Sequence, residues 1–86
     1  MDKRILHLTL KKEWFDAIAS GNKTHEYRLV KPYWIKRLSG RIFDEVHFRN
    51  GYSKDAPFMR VECNWVERGQ THFVISLGKI LELRKE

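Results

Sequence analysis

The chain has 86 residues, of which 42% are apolar, and it carries 17 Lys and Arg against 11 Asp and Glu, a formal net charge of +6. A chain of this length can bury roughly 64% of its unfolded surface, which suffices for one hydrophobic core and predicts a single domain over residues 1–86. The only cysteine, Cys63, excludes an intramolecular disulfide framework, and the four histidines share no ligand spacing, so no metal site is expected.

The apolar runs are only a few residues long, whereas a membrane-spanning helix needs about 20. The first residues also lack the charged, apolar and small-residue regions of a secretory signal peptide. We therefore expect a cytoplasmic protein with no membrane partner. A Gly-rich phosphate loop is likewise missing, and no cofactor is expected.

The positive charge is concentrated in the first half of the chain. Residues 1–43 hold ten Lys and Arg with four acids, whereas residues 44–86 hold seven of each sign. Between Lys23 and Arg41 there are six basic residues and one acid, Glu26. Because clustered positive charge attracts anions, this asymmetry predicts a basic face and favours a nucleic-acid partner, although an ordinary solvated surface is the alternative.

Alternating and helical spacings of apolar residues predict five or six strands and two short helices. The first helix ends before Gly21, and Pro32 begins the second, which ends before Gly40. Gly78 is interpreted as a bulge or bend between the last two strands. In chain order the predicted elements are strand 5–10, helix 11–20, strand 23–30, helix 32–39, strand 43–50, strand 59–66, strand 71–77 and strand 79–83.

These elements predict an α+β fold that is mainly β, a small and strongly curved antiparallel or mixed barrel of five or six strands with two short helices. Cys63 alternates with Met59 and Val61 on one strand, so it is predicted to be a buried small hydrophobe rather than a nucleophile. Trp34 is predicted to belong to the core, since large aromatic side chains dominate burial in small domains.

Residues 21–28, Gly-Asn-Lys-Thr-His-Glu-Tyr-Arg, carry the most chemical information. Glu26 and Arg28 are two residues apart on a predicted strand, so both project from one face and can form an ion pair. Lys23 lies at the start of that strand, where a turn can bring its ammonium group to the same end. This spacing fits a Lys–Glu–Arg site for an anion, and it fits equally an exposed salt bridge beside an unrelated lysine.

The pattern Gly-x-Lys-x-x-Glu-x-Arg is present at Gly21, Lys23, Glu26 and Arg28, after an N-terminal strand and an amphipathic helix. In this order of elements it resembles the signature of the ASCH domain. The resemblance implies a PUA-like β-barrel, here as a small stand-alone member of the family. It also implies RNA binding in a cleft between the barrel and the first helices. The motif covers eight residues, and the order of elements extends the resemblance over nearly the whole chain.

The resemblance implies different activities for different members of the family. Some members resemble ribonucleases in which a lysine acts with nearby hydroxyl groups, and Lys23 matches that lysine. Others are amidohydrolases acting on acetylated cytidine, but their motif has Thr where Glu26 stands, and their catalytic Glu lies in a helical insertion that this chain lacks. Others again are binding modules. The hydroxyl groups that could assist Lys23 are those of Tyr27, Tyr33, Tyr52 and Ser76.

A second group of side chains is predicted to line the same cleft. Arg49, Asn50 and Tyr52 lie at the end of the third predicted strand and in the loop after it. They offer a guanidinium fork, an amide and a ring suited to a phosphate and an unstacked base. The Asn-Gly pair there is also typical of a plain hairpin turn. Tyr33 is predicted to be an exposed stacking ring, and Lys12, on the first helix, completes the predicted RNA-binding residues.

The sequence thus predicts an RNA- or nucleotide-binding domain, which as an enzyme would be a ribonuclease acting on single-stranded RNA. In that case Lys23 is the general acid or electrostatic stabiliser, and Glu26 is the general base. In a purely binding role, Glu26 orients Arg28 or accepts hydrogen bonds from a base or a 2′-hydroxyl group. The alternatives are an amidohydrolase acting on a small modified nucleoside and a module that binds an acidic protein.

Overall fold

The computed structural model describes residues 2–85, which form five strands and two helices. The predicted fold class is confirmed, since the protein is α+β, mainly β, and built on one curled sheet. The strands are β1 (Ile5–Thr9), β2 (His25–Leu29), β3 (Glu45–Arg49), β4 (Phe58–Arg68) and β5 (His72–Arg84), and the helices are α1 (Lys12–Ala19) and α2 (Pro32–Leu38).

The sheet is mixed and has the strand order β1-β3-β4-β5-β2. β1 runs parallel to β3, and the other neighbouring pairs are antiparallel. A parallel pair needs a long crossover connection, which α1, β2 and α2 supply here. As a result β1 and β2, which α1 joins in the chain, lie at opposite edges of the sheet.

The last two predicted strands are one strand, β5, which Gly78 does not interrupt. The ladder between β4 and β5 shifts register between Arg60 and Trp65, and Gly78 faces this irregular stretch. A Cβ atom at Gly78 would lie 2.8 Å from Asn64 Oδ1 and 3.2 Å from Glu62 Cβ. Glycine therefore lets the two strands approach closely where the ladder bends.

One face of the sheet packs against both helices to form the core. The helices contribute Phe15, Ile18 and Leu38, and the sheet contributes the inward residues of each alternating strand. Trp34 packs against this core, as predicted. Cys63 also packs against it but is only partly buried. Burial raises the pKa of the Cys63 thiol, and the Asp44 carboxylate raises it further, which disfavours the reactive thiolate.

Neither helix in the described part of the chain is long and apolar enough to cross a membrane. Among the same residues, no group of three or more His, Cys, Asp or Glu side chains is arranged to hold a metal ion.

Candidate functional site

The site begins where α1 ends and the chain turns into β2. Gly21 follows the helix with a φ angle of +86°, a left-handed conformation that favours glycine. The backbone N–H of Lys23 then donates to the carbonyl oxygen of Ala17 at 3.0 Å, which fastens the start of the motif to the last turn of α1. The lysine side chain is thereby held between the helix and the strand.

β2 turns its charged side chains inward and its apolar side chains outward. Glu26 is only 5% exposed, and Arg28 is largely buried, whereas Tyr27 and Leu29 are 48% and 43% exposed. A strand that covers an apolar core normally alternates the other way. Because a buried carboxylate must be paired to be tolerated, the inner face of β2 is a polar site inserted at the margin of the core.

The Glu26 carboxylate holds two cations, one on each oxygen. Arg28 Nη1 donates to Oε2 at 2.7 Å, and Lys23 Nζ lies 3.3 Å from Oε1. Arg28 Nη1 also donates to the backbone oxygen of Tyr27 at 2.7 Å. We call Lys23, Glu26 and Arg28 the Glu26 cluster. Two cations on one carboxylate leave a net positive charge, which favours an anionic ligand.

Three aromatic rings surround the cations of the Glu26 cluster. Lys23 Nζ lies 5.2 Å from the ring centroids of both Trp14 and Tyr27. Arg28 Cζ lies 5.3 Å from the ring centroid of Trp34. These distances are typical of cation–π contacts. Trp14 and Tyr27 are each about half exposed, so they also offer ring surface to a planar ligand.

A cleft of about 320 Å³ opens over the Glu26 cluster, between α1 and β2. Trp14 and Tyr27 form part of its wall, and Thr9, Leu10 and Lys11, at the end of β1, complete it. This volume is at the lower end of the range of small-molecule sites, about 300 to 1,000 Å³. A positive cluster with aromatic walls in such a space suits a phosphate joined to a flat ring.

Of the eight predicted site residues, the structure brings together the three that form the Glu26 cluster. The Arg49 guanidinium carbon lies 5.1 Å from the ring of Phe58, at the start of β4. Tyr52 is almost fully exposed in the loop that follows β3. Neither side chain is among those that line the cleft, although Arg49 neighbours Thr9 of the cleft wall in the ladder of β1 and β3.

Asn50 and Lys12 line a different cavity, of about 250 Å³, beside α1. Lys12 Nζ donates to Asp16 Oδ2 at 2.8 Å, one helical turn away, and this hydrogen bond raises the pKa of Lys12 and lowers that of Asp16. The Nδ2 atom of Asn50 is buried and has no hydrogen-bond partner among residues 2–85. This cavity lies on another face of the helix from Trp14.

Tyr33 is 55% exposed on α2, in keeping with the stacking ring that the sequence predicts. The Arg37 guanidinium carbon lies 3.5 Å from its ring centroid, and the Trp34 ring meets it edge-on at 4.8 Å. Trp34 also contacts Arg28, so Tyr33 lies one ring away from the Glu26 cluster.

The sequence reasoning missed the aromatic walls of the cleft. Trp14, Phe15 and Ile18 fall at helical spacing in the predicted helix 11–20, but adjacent helix residues point about 100° apart, so Trp14 and Phe15 cannot both face the core. That angle was the signal in the sequence that could have placed Trp14 on the surface. Tyr27 was predicted only as one of four possible hydroxyl groups, and its outward place on the strand follows from the inward place of Glu26.

A second buried carboxylate, Glu45 at the start of β3, lies outside the cleft. Lys3 Nζ, His47 Nε2 and Arg60 Nη1 lie 2.6, 3.0 and 3.1 Å from its oxygens. The hydrogen bond from Lys3, together with those from His47 and Arg60, lowers the pKa of Glu45 from 4.5 to about 2. A concavity of about 690 Å³ adjoins it, but three further carboxylates line that space, which disfavours an anionic ligand.

A scan against protein-family models found no matching family, and a search of the curated proteins found no matching sequence. The resemblance to the ASCH domain therefore rests on Gly21, Lys23, Glu26, Arg28 and the order of elements around them, and it stays a prediction.

Proposed function

We propose that this protein is an ASCH-like domain that binds single-stranded RNA, or a nucleotide-sized fragment of it, in the cleft between α1 and β2. One observation carries the proposal. A buried carboxylate, Glu26, holds Lys23 and Arg28 beside two half-exposed rings, Trp14 and Tyr27. Cations and rings within one cleft match the two parts of a nucleotide, its phosphate and its base.

The two cations are suited to bind phosphate. Both hydrogen bonds that Arg28 makes within the described residues use Nη1, which leaves the Nε and Nη2 donors for a phosphate. Arginine binds phosphate with such a pair of donors, and lysine binds it as a point charge. Because Glu26 anchors both cations, the geometry supports the orienting role that the sequence predicts for this residue.

The two rings are suited to bind an unpaired base. Stacking on Trp14 or Tyr27 needs the face of a base, and bases within a duplex have both faces covered by their neighbours. A half-exposed ring accepts any base, since every base has a flat face. The proposal therefore specifies a single-stranded ligand with little preference for sequence.

The salt dependence of RNA binding tests this proposal. Fluorescence anisotropy with a single-stranded RNA short enough to occupy only the cleft measures the affinity at several salt concentrations. Contacts from Lys23 and Arg28 to phosphates predict a slope of about −1.4 for log affinity against log salt, and Lys23→Ala halves it to about −0.7. Lys79→Ala, which removes an exposed lysine of β5, is the control and leaves the slope unchanged. Salt-independent binding, or no binding at low salt, contradicts the proposal.

A ribonuclease is the second candidate function, and the position of Tyr27 favours it. Of the four side chains predicted to supply a hydroxyl group, Tyr27 lines the cleft together with Lys23. Ser76 is buried and accepts a hydrogen bond from Asn64 Nδ2 at 3.4 Å, whereas Tyr52 is exposed in a loop. A lysine beside the phosphate stabilises the negative charge that builds up on its oxygens during cleavage.

Cleavage of single-stranded RNA tests the second candidate. Tyr27→Phe keeps the ring and removes the hydroxyl group, so we expect it to retain binding and lose cleavage. Lys23→Ala is expected to lose both. Acetylated cytidine is the competing substrate in the same assay. Its hydrolysis by the wild type and not by Lys23→Ala would favour the amidohydrolase instead, and turnover of neither substrate leaves a binding module.

A further inference from the structure

A basic groove, separate from the cleft, lies between α2 and β1. Its volume is about 400 Å³. Its walls carry Lys36, Arg37 and Arg41 together with the rings of Tyr33 and Trp34, and no carboxylate lines it within residues 2–85. The groove thus holds part of the positive excess of residues 1–43 at a place where no acid of its own wall neutralises it.

The groove contains a rigid stacking platform. The Arg37 guanidinium lies 3.5 Å from the centroid of the Tyr33 ring and donates to the Tyr33 carbonyl oxygen at 3.0 Å. Trp34 meets the same ring edge-on at 4.8 Å. Tyr33 is therefore fixed by two neighbours although more than half of its surface is exposed. A ring that is already ordered loses little conformational entropy when a base stacks on it.

Arg28 and Trp34 connect the groove with the cleft. Arg28 lines the cleft, Trp34 lines the groove, and the Arg28 guanidinium carbon lies 5.3 Å from the centroid of the Trp34 ring. The two spaces therefore adjoin across one cation–π contact. A nucleic-acid strand with a phosphate on Arg28 can continue from the cleft into the groove.

We infer that the groove between α2 and β1 is a second subsite for the same single-stranded RNA, so that the ligand is an oligonucleotide rather than a single nucleotide. This inference rests on the proposed function. The positive charge of the groove complements a phosphate backbone, and the exposed Tyr33 ring suits a base. An acidic peptide would match the charge but would leave the Tyr33 ring unused. The exposed ring therefore favours RNA over an acidic peptide.

The test compares a dinucleotide, which fills the cleft, with an octanucleotide, which reaches the groove. The wild type is expected to bind the octanucleotide more tightly and with a steeper salt dependence. The double variant Arg37→Ala/Arg41→Ala is expected to weaken octanucleotide binding about tenfold and to make its salt slope shallower by about 1.4, with dinucleotide affinity unchanged. The control Lys54→Ala/Lys79→Ala removes the same charge from exposed positions elsewhere and is expected to leave both affinities unchanged.

A second pair of variants tests the stacking platform. Tyr33→Ala removes the ring and is expected to weaken octanucleotide binding by at least about fivefold, because stacking of one base contributes that much. Tyr33→Phe keeps the ring and is expected to bind like the wild type.

Each pattern of results has one meaning. If Lys23→Ala weakens both oligonucleotides while the groove variants change neither, the second subsite is wrong and the proposed function stands. If the wild type binds neither oligonucleotide, both fail. If poly-glutamate binds, and Arg37→Ala/Arg41→Ala abolishes that binding without affecting the octanucleotide, the groove serves an acidic protein and the inference is overturned.

Discussion

Glu26 on β2 and Glu45 on β3 are both buried and both hold a lysine and an arginine, yet only Glu26 lies in a cleft with aromatic walls. Around Glu45 the cations are themselves shared. Arg60 lies 3.3 Å from a second carboxylate, Glu82, which in turn pairs with Arg84. This network holds three cations, Lys3, Arg60 and Arg84, against two carboxylates. The concavity beside it, however, is lined by four carboxylates against two cations, so the space that it offers is negative.

At Glu26 the ratio of cations to carboxylates is different from that of the concavity beside Glu45. Lys23 and Arg28 share one carboxylate, and both also contact aromatic rings, which attract cations without neutralising them. A buried glutamate with a lysine and an arginine is therefore not enough to mark a site. The distinguishing features are the surplus of cations over carboxylates along the wall of the cleft and the exposed rings beside those cations.

The largest expected effect is on stability, at Glu45. Glu45→Gln removes the shared partner of Lys3, His47 and Arg60, and we expect it to lower the free energy of unfolding by about 2 kcal/mol. This is less than the roughly 3 to 5 kcal/mol for a fully buried pair, because Lys3 and Arg60 reach solvent. Urea unfolding measures the change. RNA affinity should stay the same, and a loss of affinity would break the distinction between the two clusters.

The acid response of the protein should also depend on Glu45. Its pKa in the folded protein, about 2, is below the ordinary value of 4.5, so the folded state favours the ionised form. The resulting stabilisation is fully present above pH 4.5 and is lost as the pH falls toward 2. We expect Glu45→Gln to flatten the fall in urea stability over this interval. An equally steep fall in the variant would show that other carboxylates control acid unfolding.

A matched pair of arginine variants compares the two clusters directly. Arg28→Ala is expected to weaken binding of single-stranded RNA about tenfold, because it removes a phosphate donor from the cleft. Arg60→Ala removes the same charge from the group of side chains around Glu45, and it is expected to leave RNA affinity unchanged while lowering stability. Equal effects of the two variants on affinity would mean that only net charge matters.

The smallest expected effect is at Lys12. Its ion pair with Asp16 is exposed on α1, and exposed pairs contribute little. Lys12→Ala should leave the thermal midpoint unchanged, and dinucleotide affinity should change by no more than about twofold because Lys12 lies on another face of the helix from the cleft. A larger loss of affinity would extend the RNA site to the cavity that Asn50 lines.

Local patterns in the sequence predict much of the fold and the centre of the candidate site. Alternation located the strands, and Gly21 and Pro32 marked helix boundaries, because these signals act over a few residues. The ion pair of Glu26 and Arg28 was predictable for the same reason. Gly78 correctly indicated an irregular place in the ladder, but it does not divide the strand, since a glycine that permits close approach looks the same in sequence as one that ends a strand.

Contacts between distant residues explain what the sequence could not show. Glu45 pairs with Lys3 and Arg60, which are 42 and 15 residues away, so no local spacing in the sequence indicates these two ion pairs. Arg49 is the last residue of β3, next to the loop that holds Tyr52, but its side chain packs on Phe58 because the two residues are partners in the ladder of β3 and β4. Such contacts depend on which strands are neighbours in the sheet. The alternation of apolar and polar residues does not predict that strand order.

The strand order places the cleft between the two edges of the sheet. β1 and β2 are the two free edges of the curled sheet, and the cleft draws one wall from each, with Leu10 following β1 and Arg28 on β2. Under the proposed function, a strand of RNA in the cleft would bridge the gap between the two edges of the curled sheet. Its binding should slow amide hydrogen exchange at both edges together, although the two edges belong to opposite ends of the sheet.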